Sequence, residues 1–454
     1  MVQQFFTVDL FAGCGGISEG FHQAGFESVA QVEMHPPACE TLRTRQMFLE
    51  LKKLHKIRLY NQYLEGKISR EQILSDGPEI RTAVENTVIH ETLGKDTIQP
   101  VIRKIRAGMQ YHGASRIHVF LGGPPCQPYS IINRARIQKN GETLGRNYLY
   151  KYYLDLLQEF QPDVFIYENV PGLFTAVDNG QKIFDLLLRD FARDLQPAYA
   201  IIPPLDKVSK NPHNYILNSA HFGVPQSRKR LILIGFRQNL EEKNPDIRHV
   251  YQKLQQKAAA GKNNPLTVRD AISDLPPLRP GQGSNRWYGE YPPAGSISPY
   301  QKTMRAGSRF VLNHFARAHM ASDLDRYRFF IENHESSDHA VTIEDLIRLR
   351  PDLIPDHKHL DKFVDRFRVQ AWSKPSTTVT SHLSKDGHYF IHPDIGQCRS
   401  FTVREAARCQ SFPDNFFFED PRTEQFRQVG NAVPPLLAKA IGIALKKELE
   451  KIYS

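Results

Sequence analysis

Cys126 stands in the run Gly122-Gly123-Pro124-Pro125-Cys126-Gln127-Pro128-Tyr129-Ser130, among prolines and glycines rather than in an apolar helix or strand. A structural cysteine usually packs into a core element. One on a proline-stiffened loop just beyond a strand is a rigid mount for an exposed thiolate at the carboxyl edge of a sheet. The other reading is an inert loop cysteine. Glu168, in Tyr167-Glu168-Asn169-Val170-Pro171-Gly172, repeats the placement directly after the apolar run Val164 to Tyr167. It is either a surface acid or a partly buried one with a raised pKa, suited to proton donation near neutrality. In Gln226-Ser227-Arg228-Lys229-Arg230, alternate residues point the same way on entering a strand, so Gln226, Arg228 and Arg230 share one face.

A second constellation opens the chain. Gly13, Gly15 and Gly16 permit a tight turn and close approach of a ligand to the backbone at a helix N-terminus. Their spacing is not the dinucleotide GxGxxG, and no Lys-Ser/Thr follows to hold a phosphate. Glu33, 24 residues after Asp9, is placed to hydrogen-bond a ribose diol. Together they favour an adenosine-containing cofactor over a structural turn.

The elements that must position these groups follow from the apolar pattern. Phe5 to Phe11 is a β-prone run, and Ile17, Phe21 and Ala24 then recur at helical spacing up to Gly25. Ser28 to Glu33 is a second strand with an acid at its end. Further buried strands fall at His118–Leu121, Val164–Tyr167 and Leu231–Ile234, with helices over Tyr148–Phe160 and Gln181–Leu195 between them. The fold class is α/β: a doubly wound, mostly parallel sheet with helices on both faces. Residues 40–95 read as a charged helical insertion between the second and third strands, taken as a solvated helical hairpin. After Phe236 the alternation ends in a stretch rich in Pro, Gly, Ser and His. Phe401 to Pro413 reads as a capped helix packing two domains, and Gln428 to Pro435 as a turn feeding a last helix, Pro434–Ile452. The expected division is 1–236 plus 425–454 for the catalytic domain and 237–424 for a smaller irregular one.

Composition narrows the class. The 454 residues carry 59 Lys plus Arg against 49 Asp plus Glu, a formal charge of +10, and 40% hydrophobic residues exclude wholesale disorder. No run approaches the ~20 apolar residues of a membrane span, and the N-terminus lacks the basic region of a signal peptide. Five cysteines without a CxxC exclude a disulfide framework and disfavour structural zinc. Residues 101 to 150 hold eight basic side chains against one acid, Glu142, which makes nucleic acid the leading partner. Residues 241 to 400 are nearly balanced, 23 basic against 19 acidic. This is the composition of a soluble, intracellular protein.

Taken in order, Asp9 to Gly16, Glu33, Pro124 to Gln127, Glu168-Asn169-Val170, Gln226-x-Arg228-x-Arg230, Arg404-Glu405-Ala406-Ala407-Arg408 and Gln428 to Pro435 resemble the motif series of the DNA (cytosine-5) methyltransferases of the prokaryotic modification type. Each motif alone is modest, whereas the ordered set from residue 9 to 435 is very specific. The resemblance implies an S-adenosylmethionine-dependent methyltransferase fold, no metal, and a double-stranded DNA substrate read by residues in the irregular segment, with Lys385, His388 and residues 280 to 310 as suppliers of base contacts. It implies that the Cys126 thiolate attacks carbon 6 of a flipped-out cytosine while Glu168 holds or protonates ring nitrogen 3. Arg230 would contact the cytosine carbonyl oxygen, with Arg228 near the nucleophile. Phe11 would stack on the adenine, Ala12, Gly13, Gly15 and Gly16 would cradle the methionine part, and Glu33 would take the ribose hydroxyls. Met34 would lie beside the adenine, Asp96 at its amino group, Pro125 and Leu149 along the pocket, and Asn431 across its mouth. Gln127, Ser130, Arg134, Arg136 and Lys139 would bind DNA from the catalytic loop. Pro128, after the Cys-Gln pair, departs from the pattern and would stiffen that loop. The expected setting is the cytoplasm of a bacterial or archaeal cell, at the nucleoid, as a monomer beside a restriction or defence system. Three other functions stay open: a tRNA cytosine-5 methyltransferase on the same fold, a catalytically silent DNA-binding regulator, and a nicotinamide-dependent dehydrogenase. The long variable segment, the intact Cys126 and Glu168, and the glycine spacing disfavour them in turn.

Overall fold

The computed structural model describes residues 3–124, 149–178, 180–193, 195–201, 215–244, 249–292, 297–336, 341–355 and 366–454. The first strand, β1 (Phe5–Leu10), is buried at all six positions, Thr7 and Asp9 included, as a strand covered on both faces must be. It pairs in parallel with β2 (Phe26–Glu33) on one side and β4 (Val119–Gly122) on the other. Parallel pairing continues outward to β3 (Val88–His90) and β5 (Val164–Asn169). A small hairpin of β6 (Val177–Asp178) and β7 (Gln181–Lys182) stands apart. Three antiparallel strands complete the main sheet: β8 (Tyr199–Ile201), β9 (Ile216–Asn218) and β10 (Lys229–Arg237). The order is β3-β2-β1-β4-β5-β10-β8, with β9 also on β10.

Helices cover both faces, as the sequence pattern requires. On one, Val8, Leu10 and Phe120 pack against Val101, Ile105, Tyr153 and Leu187. On the other, Phe5, Leu121, Ile166 and Ile232 meet α1 (Gly16–Gln23), the helix Val250–Lys262 and the C-terminal helix Pro435–Tyr453. Among the described residues no helix is long and apolar enough to cross a membrane.

Two expectations change. Strand β5 runs on through Glu168 and Asn169, because β10 pairs with it as far as Leu231 opposite Asn169. Glu168 is therefore fixed by a ladder rather than left on a loop. Residues 40–95 are not a solvated hairpin. They form α2 (Pro36–Lys53), α3 (Ile57–Leu64), α4 (Arg70–Asp76), α5 (Pro78–Thr87) and the sheet strand β3. Phe48, Tyr60, Tyr63, Ile73 and Ile80 from these helices share a core with Phe310, Leu312 and Phe417. Each short apolar stripe packs on its neighbours in the insertion and on Phe310, Leu312 and Phe417 more than two hundred residues away, partners that local periodicity does not show.

Beyond Arg237 the described residues form helices but few strands. The hairpin β11 (Gly283–Trp287) and β12 (Leu312–Phe315) is their ladder. The helix Val403–Cys409 is closed at its start by a capping box between Thr402 and Glu405, as the sequence Thr402-Val403-Arg404-Glu405 predicts.

Candidate active site

The carboxyl ends of β1 and β2 meet at one corner. The chain leaves β1 through Phe11 and Gly13, with φ of 58° and 55°, and Gly15 at 86° precedes the first turn of α1. This path turns the backbone back on itself, and Glu33, the last residue of β2, holds it. One Glu33 oxygen accepts from the Gly13 amide at 2.7 Å, and the other from Met34 at 3.0 Å and His35 at 2.8 Å. A carboxylate has about four acceptor positions, so one stays available to a ligand hydroxyl. The space where a Gly13 side chain would stand is open, with nothing within 4 Å. From the far side the turn before the last helix presses on the loop: a Cβ at Gly16 would lie 2.3 Å from the Val433 oxygen.

Other expected cofactor residues ring this corner less tightly. Met34 is 53% exposed, and Phe11 is half-buried against the sheet core. Asp96 is exposed in the turn before the helix Ile98–Tyr111; the Glu91 amide bonds the Glu33 carbonyl at 3.0 Å and draws the loop after β3 alongside. Leu149 begins the helix Leu149–Phe160, and Asn431 is exposed at the end of the helix Arg422–Asn431. Among the described residues no hydrogen bond joins Asp96, Leu149 or Asn431 to the glycine turn. Beneath it, burial pushes the Asp9 carboxyl up to about 7, although Ser18 donates to it at 2.5 Å.

The second corner lies between β4, β5 and β10. Gly122 and Gly123 pass through a slot in which Cβ atoms would stand 1.9 Å from the Leu10 and Glu168 carbonyl oxygens respectively. Only glycine fits both positions. The Asn169 side chain then donates to the Pro124 carbonyl at 3.3 Å, fixing the chain just beyond Gly123. Pro125, Cys126, Gln127, Ser130, Arg134, Arg136 and Lys139 lie outside the described residues. Glu168 faces Ile232 across the ladder, which puts Arg230, two residues along β10, on the same face. The Arg230 Nε is 3.0 Å from a Glu168 carboxylate oxygen, both side chains being mostly buried.

Gln226, Arg228 and Arg230 divide their work. Arg230 pairs with Glu168. Arg228 is 1% exposed and donates to the Val379 carbonyl at 2.8 Å. Gln226 accepts from the Val379 amide at 2.8 Å and donates to the Cys409 carbonyl at 3.2 Å. The cause is a segment without a ladder of its own, bridged to Gln226 at Ser376, whose backbone groups need partners. Val379 carried no signal in the sequence. His388, expected among the base-contacting suppliers, is buried instead. Its ring bonds the Tyr327 hydroxyl at 2.7 Å and packs 4.6 Å from Phe367, so it belongs to the core. Lys385 is exposed.

A doubly wound sheet with a glycine turn and an acid at one strand-end corner, and a carboxylate–guanidinium pair at the next, defines an α/β enzyme with two adjoining sites. The model of the C-5 cytosine-specific DNA methylases matches residues 5–77 and 95–447, and the chain belongs to that family. It is 40% identical to the type II methyltransferase M.Bpa9945I of Bacillus paralicheniformis, over 97% of this chain and 98% of that one. With the type II methyltransferase M.AgeI of Thalassovita gelatinovora it shares 28% identity over 97% and 99% of the two chains. In fold it resembles a crystallised candidate DNA modification methyltransferase encoded within an E. coli prophage, with a TM-score of 0.58 at 20% identity over 98% of this chain and 99% of that one. The activity is that of a DNA (cytosine-5-)-methyltransferase.

Proposed function

We propose that the enzyme methylates carbon 5 of a flipped-out cytosine in a specific double-stranded DNA sequence, using S-adenosylmethionine and a covalent Cys126 adduct, within a restriction-modification system. The observation that carries this reading is the Glu168–Arg230 pair, held on one strand face beside the glycine slot that launches the Cys126 loop. The first corner fits the cofactor: an open glycine turn and a Glu33 carboxylate with an acceptor position left over. When bound, S-adenosylmethionine supplies an electrophilic methyl group to the activated carbon 5. Glu33 takes the ribose hydroxyls, Ala12, Gly13, Gly15 and Gly16 line the methionine part, and Phe11 and Met34 flank the adenine with Asp96, Pro125, Leu149 and Asn431 around them.

Cytosine carbon 5 is too weak a nucleophile unaided. Cys126 adds as the thiolate to carbon 6 while Glu168 delivers a proton to nitrogen 3, so the ring gains enamine character at carbon 5 without accumulating charge. Arg230 orients Glu168 and donates to the ring carbonyl oxygen. Arg228 acts through Val379, fixing the strand from which Arg230 projects. The carbon-5 proton passes to solvent, Cys126 leaves as the thiolate and nitrogen 3 returns its proton to Glu168, which closes the cycle. Carbon 6 is out of reach inside the stack, so the base leaves the duplex at a cost of about a few kcal/mol. Gln127, Ser130, Arg134, Arg136 and Lys139 close over it and grip phosphates, which adds affinity without sequence information. Residues 1–236 with 425–454 form the catalytic domain, joined by the helix Val250–Lys262 that packs on its sheet, and the rest of residues 237–424 reads the sequence. The protein works as a monomer in the bacterial cytoplasm.

Cys126→Ala tests this directly. Sequencing DNA from cells expressing the variant is expected to find no 5-methylcytosine, against a single methylated motif for wild type. S-adenosylhomocysteine affinity should stay within about threefold, since the nucleophile sits at the other corner. Residual methylation, or lost cofactor binding, overturns the assignment of Cys126.

A further inference from the structure

Three distant parts of the chain meet at Phe418–Asp420 and Gln428, residues with no part in the chemistry above. From the helical insertion, Thr44 donates to the Glu419 carboxylate at 2.5 Å, and Tyr63 bonds it as well. The Glu419 amide donates to Thr41 at 2.9 Å. From the recognition hairpin, Asn313 of β12 accepts from the Phe418 amide at 3.1 Å and donates to the Phe418 carbonyl at 2.9 Å and to Asn285 of β11 at 2.8 Å. Arg286 of β11 stacks 4.4 Å from the Tyr63 ring.

Gln428 carries the same junction to the cofactor corner. Its amide nitrogen donates at 3.3 Å to the carbonyls of Glu419 and of Pro37, four residues after Glu33. Its own carbonyl accepts from the Cys14 thiol, between Gly13 and Gly15, at 3.5 Å. Gln428 is 4% exposed. Beside the junction lies a cleft of about 510 Å³ lined by Glu40, Tyr63, Arg70, Arg286 and Glu419. Next to it the insertion and the hairpin share the core of Phe48, Tyr60, Phe310 and Leu312, and these hydrogen bonds fasten Phe418 and Glu419 to both.

We propose that Glu419 and Gln428 are positioning residues that couple DNA held by the recognition segment to cofactor bound at the Gly13–Glu33 corner. A shift of the hairpin must move Phe418 and Glu419, and through Gln428 it must strain or relax the glycine turn. A ligand that fixes either end therefore narrows the freedom of the other, and the coupling is reciprocal. The inference rests on the proposed cofactor and substrate.

The test is calorimetric binding of S-adenosylhomocysteine, with and without a duplex carrying the sequence found methylated. Wild type is expected to bind about tenfold or more tighter with the duplex present. Thr44→Val with Tyr63→Phe removes both hydroxyl donors to Glu419 while keeping shape. It should cut the tightening below about threefold and leave affinity without DNA within about twofold. Gln428→Ala should do the same, and melting curves of both variants show whether they fold. Equal affinity with and without duplex in wild type, or tightening retained in either folded variant, overturns the coupling. Wild-type protein that neither binds S-adenosylhomocysteine nor methylates DNA overturns the proposed function itself, and the coupling with it.

Discussion

In the catalytic sheet the side chains that lose all exposure include Phe5, Val8, Leu10, Phe120, Ile166 and Ile232; beyond Arg237 they include Arg399, Arg404 and Arg408. The sheet satisfies its own backbone through ladders, so its interior can be apolar. The segment beyond Arg237 has few ladders among the described residues, and its carbonyls need donors from elsewhere. Arg404 donates to the carbonyls of Leu312 at 2.9 Å and Phe416 at 2.7 Å. Arg408 donates to the Ala271 carbonyl at 2.7 Å and to Asp414 through two nitrogens. Arg399 reaches the Leu278 carbonyl at 3.1 Å and forks onto Glu405. A guanidinium offers five donors in one plane, which suits irregular backbone that a leucine would leave unpaired. The contrast explains why Arg404 and Arg408, part of a motif that resembles a catalytic family's, do structural work, while Arg230 on its ladder is left to pair with Glu168.

Breaking each region should therefore give different symptoms. The largest effect is expected from Glu168→Gln, which removes the proton donor but keeps the side chain's size. Turnover should fall by about 10²- to 10⁴-fold while DNA affinity and melting temperature change little. Unchanged turnover would remove Glu168 from the mechanism. In the other region, Arg408→Met leaves buried Asp414 with only the more distant Arg404 and Asp274 with only Arg305, a loss of about 3–5 kcal/mol. Its melting temperature should drop sharply or soluble protein disappear, and a stable variant would show that the arginine network is replaceable.

The smallest effect lies in pH dependence, where the regions slope in opposite directions. Burial holds Asp9 protonated up to about 7 in the fold against 3.8 when unfolded, so the folded state binds the extra proton between those values. Stability from Asp9 falls as pH rises through that window, and Asp9→Asn should abolish the fall. Burial lowers His314 to about 4 and His392 to about 3, against 6.5 unfolded, so here the unfolded state binds the extra protons. Stability from these residues falls as pH drops below about 6.5, and His392→Gln should flatten that side of a melting-temperature profile. Equal profiles for wild type and both variants would dissolve the contrast.

The same contrast accounts for what the sequence disclosed. β1, the glycine turn, α1, β2 and the C-terminal helix are legible because each is a local apolar pattern with its own start and stop signals. Glu33 and Glu168 stand out as acids at the ends of apolar runs, and the structure sets each beside the partners that such a place offers. The antiparallel reach of β10 to Leu231, the division of labour between Arg228 and Arg230, and the burial of His388 depend on partners across the fold. So does the core shared by Phe48, Tyr63 and Phe417. Spacing within a segment cannot report such contacts, since each half is complete only in the presence of the other.

Both corners matter only if Cys126 is the nucleophile. Wild-type enzyme is mixed with S-adenosylmethionine and a duplex whose target cytosine is 5-fluorocytosine, so that the carbon-5 position cannot lose a proton. The account predicts a protein–DNA adduct that survives denaturation, with the base attached to Cys126 when the digest is mapped by mass spectrometry. No adduct from an enzyme that methylates the unfluorinated duplex, or attachment at another residue, would contradict it.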